Sequence, residues 1–221
     1  SAASDVYKRQ SMTLYRYFPR ALAALFLVAV PLSSSCAQQP TDVSRNAIFE
    51  DAVAPKVAPR GYDLTIVEFS DYNCPYCKRM HPVLKALLAS DPKIRLVYRD
   101  WPIFGGASVE AARAAIASQW QGKHAAFNDA LHSTGGRLDS ASIRAAADRA
   151  GVNWPRLQSD LKTHKNEIDA LLARTNRQAA AIGLSGTPGL IIGNYLVPGA
   201  LDLIALRTAV ARVRADVSKV K

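Results

Sequence analysis

The sequence predicts an α/β fold whose strands are interrupted by a long all-helical insertion, and three observations predict it. Residues 63–98 carry a strand, a helix and a second strand, in that order. About seventy residues of helical pattern follow with no strand signal. Strand signals then return as a short hairpin, and a last helix closes the chain. Strands joined through helices indicate a sheet with a crossover connection rather than an all-helical bundle.

Asp63 to Phe69 is rich in β-branched and aromatic residues and reads as a central strand. The polar stretch 70–73 turns the chain into a helix opened by Cys74, with Asp71 or Asn73 as its cap, running to about Ala89. Pro82 lies inside that helix and predicts a kink or break near His81. Ile94 to Tyr98 is the next strand. Trp101-Pro102 and Gly105-Gly106 then end the strand pattern. Within the insertion, Ser108 to Gln121 is an alanine-rich helix and Lys123 to His132 a second, stopped by Gly135-Gly136. Ser140 to Ala150 is a third, with Asp139 or Ser140 as N-cap and Gly151 past its end. Trp154 to about Gly183 reads as two more. Gly189 to Ile192 and Tyr195 to Val197 form the hairpin, because Gly193-Asn194 is a two-residue turn that tolerates positive φ. Leu201 to about Val217 is the closing helix.

The chain has 221 residues and a formal net charge of +10. Of that charge, +3 lies in residues 1–37 (Lys8, Arg9, Arg16 and Arg20 against Asp5), leaving +7. The basic residues show no aromatic interleaving and no nucleic-acid motif, so they read as a solvated surface and exclude a nucleic-acid binder. Residues 1–11 read as upstream sequence outside the fold. From Met12 to Ala37 the pattern is a signal peptide: Arg16 and Arg20, an apolar run from Ala21 to Val30, Pro31, then small residues. Ten apolar residues are half of the roughly twenty that cross a bilayer. Ser35-Cys36-Ala37 places small residues at −3 and −1 of a cleavage site after Ala37. The alternative makes Cys36 a lipid-attachment cysteine, with Leu32 one place too far upstream for a regular lipobox. Either way the protein is exported, periplasmic or beyond, where disulfides persist. Residues 38–62, punctuated by Pro40, Pro55 and Pro59, read as a linker with a short helix near Ser44 to Ala52. Residues 63–217 form the folded domain, with the helical insertion at about 106–172.

Cys74-Pro75-Tyr76-Cys77 carries the chemistry. Cys74 at a helix N-terminus meets unpaired N–H groups and the positive end of the helix dipole, which favour its thiolate. Pro75 suits the first turn, where its missing N–H costs nothing. Cys77 lies one turn on, close enough to close a small disulfide ring. Zinc needs two further ligands; the remaining cysteine is Cys36, and His81, His124, His132 and His164 lack paired spacing, so no metal is expected. Two inert buried thiols are the other bland reading. The strand-to-helix setting favours a reactive dithiol.

These residues resemble the active site of the thioredoxin superfamily, and the helical insertion makes the chain similar to the DsbA-like thiol:disulfide oxidoreductases. Arg99-Asp100-Trp101-Pro102-Ile103-Phe104-Gly105 after the second strand, Gly186-Thr187-Pro188-Gly189 before the hairpin and Val197-Pro198-Gly199-Ala200 before the last helix extend the likeness, which covers about Asp63 to Arg214. The resemblance implies a thioredoxin fold with an inserted all-helical subdomain. It implies Cys74 as the exposed nucleophile and Cys77 as the buried resolving thiol. It implies a cis Pro188 that sets Thr187 beside the dithiol for an extended substrate, and Glu68 as a buried acid able to relay the Cys77 proton. Pro75 and Tyr76 would tune and border the Cys74 sulfur. A solvated Glu68 at a strand edge and an ordinary trans Pro188 are the bland alternatives. Lys78 and Arg79 either add positive charge near the thiolate or point to solvent, and His81 reads as a helix-surface histidine. Tyr76 differs from the histidine of the strongest oxidants in that family, which leaves the direction of the reaction open.

The reading is an exported oxidoreductase without cofactor that passes the Cys74–Cys77 disulfide to reduced or misfolded secreted proteins. A membrane redox partner, a DsbB-like oxidase or a reductase, would restore it. The alternatives are an isomerase or reductase, with which Thr187 is compatible, and a non-catalytic chaperone-like binding module.

Overall fold

The structure is a computed structural model that describes residues 43–218; the leader, Cys36 and the expected cleavage site lie outside the described residues. Five strands form one mixed sheet. In chain order the elements are α1 (Arg45–Phe49), β1 (Lys56–Val57), β2 (Leu64–Ser70), α2 (Pro75–Ser90), β3 (Ile94–Asp100) and α3 (Gly106–Ala117). A 3-10 turn (Ser118–Gln121), α4 (His124–His132), α5 (Ser140–Arg149), α6 (Trp154–Thr163) and α7 (Lys165–Ala181) follow, then β4 (Gly189–Ile192), β5 (Tyr195–Pro198) and α8 (Leu203–Ser218). The strand order is β1-β3-β2-β4-β5. β2 and β3 run parallel, from Leu64↔Ile94 to Ser70↔Asp100. β4 runs antiparallel to β2, from Ile66↔Ile192 to Phe69↔Gly189, and β5 closes the hairpin.

The period of two along β2 divides its side chains between two cores. Val67 and Phe69 join Val97, Ile191 and the buried faces of α3 to α7. Leu64 and Ile66 join Ile94, Leu96, Leu190 and Ile192 under Met80, Leu84 and Leu87 of α2 and Leu206, Val210 and Val213 of α8. All seven residues of β3 are buried, which fits a strand paired on both edges. Two glycines are demanded by position. Gly193 has φ +59° in the hairpin turn, and a Cβ on Gly189 would fall 2.6 Å from a Leu184 methyl.

Several expectations need correction. The segment read as a linker is part of the fold. Ser44 caps α1, and Ile48, Phe49 and Ala54 enter the core. β1 adds an edge to β3. The apolar residues there are too few to show a period, so composition dominated the reading. Helix α2 runs through Pro82 without a break. Its N-cap is Cys74 itself; neither Asp71 nor Asn73 caps it, because both side chains are engaged elsewhere. The helical insertion runs to Ala181 rather than ending near residue 172. Asp139 caps α5 in a two-way box with Ser142, Gly151 is left-handed after it, and Gly193-Asn194 makes the hairpin turn, all as the sequence predicts.

Candidate active site

Strand β2 ends at Ser70, and four residues later the chain enters α2. This crossing sets Cys74 at the helix N-terminus in extended conformation (φ −73°, ψ 120°) with Pro75 in the first turn. The Cys74 sulfur lies 3.2 Å from the Thr187 carbonyl, to which the S–H donates when Cys74 is protonated. The Thr187–Pro188 bond is cis. Cys74 is 1% exposed, so the expectation of an exposed nucleophile is corrected: the Thr187 segment covers it. Cys77 is fully buried beneath it, and both are free thiols.

Burial raises both thiols, and hydrogen bonds then part them. The Cys77 side chain, Thr187 and the backbone at Cys77 and Tyr76 hydrogen-bond Cys74 and hold it down at about 5, against the cost of desolvation. A helix N-terminus produces this effect. Desolvation pushes Cys77 far up, and the hydrogen bond it gives to Cys74 adds to the shift. At neutral pH the reduced site therefore holds one thiolate, on Cys74, and one thiol, on Cys77.

Glu68 is 1% exposed on the central strand, which rules out the solvated alternative. Desolvation, with the Asp100 charge second, raises its pKa to about 8. Desolvation likewise raises Asp100 to about 7. Tyr76 is 58% exposed beside the thiols and carries the Arg79 guanidinium 4.3 Å above its ring. Tyr76, Arg79, Met80, Thr187, Pro188 and Leu201 line a groove of about 620 Å³. A second groove of about 550 Å³, at Arg45, Asn194 and Tyr195, holds no thiol.

Lys78 points neither to the thiolate nor to solvent: its Nζ donates to the carbonyls of Thr134 (2.8 Å) and Gly136 (2.5 Å). His81 is corrected from surface to buried. It stacks on His132 with centroids 4.7 Å apart, and its Nε2 lies 2.9 Å from Asp129 Oδ1, at ion-pair distance but outside hydrogen-bond alignment.

Asp71 is a positioning residue that sequence reasoning assigned only to capping. Its carboxylate accepts from Asn73 N (2.7 Å), Ile103 N (2.6 Å), Phe104 N (3.0 Å) and Ser108 Oγ (2.7 Å). Its carbonyl accepts from Cys74 N at 3.1 Å. Asn73 extends the connection, donating to Ser108 Oγ and accepting from Leu138 N. The cysteine turn is thus tied to the start of α3 and to the loop before α5. A short polar residue three places before the first cysteine was the available signal.

A thioredoxin-like sheet, a dithiol at a helix N-terminus and a cis-proline loop against the first sulfur define a thioredoxin-fold class of protein. The sequence matches the DSBA-like thioredoxin domain over residues 65–211, and the chain belongs to that family. A thioredoxin-like oxidoreductase from Silicibacter pomeroyi is 39% identical, with a TM-score of 0.73 over 78% of this chain and 98% of that one. The thiol-disulfide exchange protein alpha-DsbA2 from Wolbachia pipientis is 30% identical, TM-score 0.71, covering 75% and 89%. A periplasmic thioredoxin-like protein from Salmonella enterica serovar Typhimurium is 27% identical, TM-score 0.68, covering 80% and 99%. Among curated proteins, the Na(+)/H(+) antiporter NhaA 1 of Salinispora arenicola is 30% identical over 155 residues, 69% of this chain and 23% of its own length. The chain therefore spans about a quarter of the length of the curated relatives it matches.

Proposed function

We propose that this protein is an exported oxidant of protein thiols that donates its Cys74–Cys77 disulfide through a mixed disulfide at Cys74. A substrate thiolate attacks Cys74 Sγ, the Cys74–Cys77 bond breaks, and Cys77 leaves and takes a proton. A second substrate thiolate then attacks the substrate sulfur of the mixed disulfide and Cys74 leaves as thiolate. The two sulfurs carry the electron pair, so the reaction uses no cofactor.

The observation that carries the direction is the held-down Cys74, at about 5. A stabilised thiolate stabilises the reduced protein and makes the disulfide oxidising. The sign also fixes the pH dependence. The Cys74 contribution to the reduced fold is full above its ordinary value near 9 and is lost as pH falls through about 5. Pro75, Tyr76 and Thr187 border the approach to Cys74, and Pro188 and Glu68 complete the proposed site. Substrates are reduced or misfolded secreted proteins, and a membrane redox partner, DsbB-like or a reductase, resets the dithiol. Export is supported by the leader pattern of residues 12–37 and by the periplasmic relative; no described helix is long and apolar enough to cross a membrane. Lipid attachment at Cys36 is the variant of that reading.

The equilibrium reduction potential against glutathione tests the direction. A value near about −120 mV is expected of an oxidant. A value near about −270 mV overturns the oxidant reading and leaves a reductase or isomerase, with which Thr187 before the proline is compatible.

A further inference from the structure

Tyr76 and Arg79 stand three positions apart on α2, so their side chains are neighbours on one face of the helix. Both are exposed, and both line the groove of about 620 Å³ that Thr187 and Pro188 border. Most of that groove is apolar. Met80, Val83 and Leu201 line it, and Leu201 N donates to the Met80 sulfur at 3.4 Å, which joins α2 to the loop before α8.

The charged groups at this face are not equally free. Lys78 Nζ is committed to the carbonyls of Thr134 and Gly136. Asp202, on the groove's other wall, accepts from Ala205 N at 2.8 Å through Oδ1. The positive end of α8 offsets its charge there. Arg79 has no carboxylate at ion-pair distance among the described residues; its guanidinium carbon lies 4.3 Å over the Tyr76 ring. Stacking occupies the flat of a guanidinium and leaves its edge N–H groups open. That edge is the donor fork that meets a carboxylate through two parallel hydrogen bonds.

We propose that Arg79 selects substrate segments that carry an aspartate or glutamate beside the reacting cysteine, with Tyr76 holding the guanidinium in place and the apolar side chains at Met80 and Leu201 taking a neighbouring residue. The proposal rests on the thiol-exchange reading above and adds the class of protein thiol that the site prefers. Arg79 acts on the substrate and not on Cys74, whose thiolate is held down by Cys77, Thr187 and the backbone of Cys77 and Tyr76. An exposed pair of this kind steers encounter and ranks substrates. After the exchange the Cys74 thiolate adds a negative charge to this face, which weakens the hold on an acidic product.

The test follows the oxidised full-length protein as it reacts with reduced peptides that each carry two cysteines. The peptides differ only in the residues flanking the cysteines: glutamate, glutamine or lysine. Each rate is divided by that peptide's rate with hydroxyethyl disulfide, an uncharged reagent, which removes the effect of the flanking charge on the peptide thiol itself. At low ionic strength the glutamate peptide is expected to react at least about fivefold faster than the lysine peptide, and the ratio to shrink in about 0.5 M salt. Arg79→Gln is expected to lower the ratio about three- to fivefold, Arg79→Lys to keep part of it, and Arg79→Glu to reverse it. The ultraviolet titration of the Cys74 thiolate is expected to stay in place in Arg79→Gln. A ratio near one in the unaltered protein, or a ratio that none of these variants changes, overturns the proposal. An equal change in all peptide rates with an upward move of the Cys74 titration also overturns it, and makes Arg79 a support of the thiolate. Peptides that all keep their thiols in the presence of the unaltered oxidised protein overturn the thiol-exchange reading instead.

Discussion

Glu68 shows how one buried residue couples the site to stability. Its ordinary carboxyl value is near 4.5, and in the fold it stands at about 8, chiefly through desolvation. The folded protein therefore holds a proton that the unfolded chain releases between those values. By linkage, this acid lowers stability as pH rises from about 4.5 to about 8. Glu68→Gln is neutral and nearly isosteric, so it is expected to flatten that slope. It should leave the variant more stable than the parent above pH 8, by an amount on the order of a few kcal/mol. Urea unfolding at a series of pH values checks this, and an unchanged slope would mean that the group titrates normally. Reading this from sequence alone was half feasible. The alternation of β2 gives the face Glu68 shares with Ile66 and Ser70, whereas its neighbour Asp100 arrives from another strand with no local signal. His81 and the buried polar stripe of α4, at His124, Asn128 and His132, were harder. Polar residues at spacing four are what a solvated helix face also looks like, so the pattern pointed outward while the packing turned it inward.

At the scale of elements, the sheet and helices were legible because their signals are local: period two in β2, the glycine turn of the hairpin, the cap of α5. What was not legible is the attachment of the 44–57 segment, which depends on charges far apart in sequence. Arg99 is fully buried on β3 and donates to Asp51 Oδ2 at 3.0 Å, and to the carbonyls of Ala47 (2.8 Å) and Ile48 (2.5 Å). Arg174 of α7 donates to the same carboxylate, at 2.8 Å to Oδ2 and 3.0 Å to Oδ1. One acid thus joins α1, β3 and α7. Both arginines hold Asp51 below the usual carboxylate value even though burial opposes them. Removing one partner of a buried pair leaves a charge uncompensated, at a cost of about 3–5 kcal/mol. Asp51→Ala is expected to lose about that much in denaturant unfolding. Exposed pairs such as Arg144–Asp148 are expected to matter little by comparison.

Across the whole molecule, the helical insertion enters after β3 and returns before β4, so it can influence the dithiol only through contacts that bridge the two parts. Asp71 supplies the densest of these. It ties the residues before Cys74 to Ile103, Phe104 and Ser108, and Trp101 N donates to Ser70 O at 2.8 Å beside it. Four donors converge on one buried carboxylate, and replacing it by a methyl group leaves them to find water or go unpaired. Each buried donor left unpaired costs about 1–3 kcal/mol, less where solvent reaches it. Ile103 and Phe104 are 42% exposed, so their amides can be rehydrated and the loss should stay local. The two cores of the sheet do not depend on this contact. Asp71→Ala is therefore expected to keep a cooperative unfolding transition, while the amides of Asn73, Ile103 and Phe104 lose hydrogen-exchange protection together. The Cys74 amide, held by the Asp71 carbonyl at 3.1 Å, should loosen with them. The backbone groups that help hold down the Cys74 thiolate, those of Tyr76 and Cys77, lie in the first turn of α2 directly after this segment, so the variant's thiolate titration should move upward toward the ordinary thiol value. Hydrogen exchange followed by mass spectrometry, with the ultraviolet absorbance of the thiolate as the second readout, decides it. Loss of protection spread evenly over β2, β3 and β4 would show instead that Asp71 supports the entire fold and that the insertion has no separate hold on the dithiol.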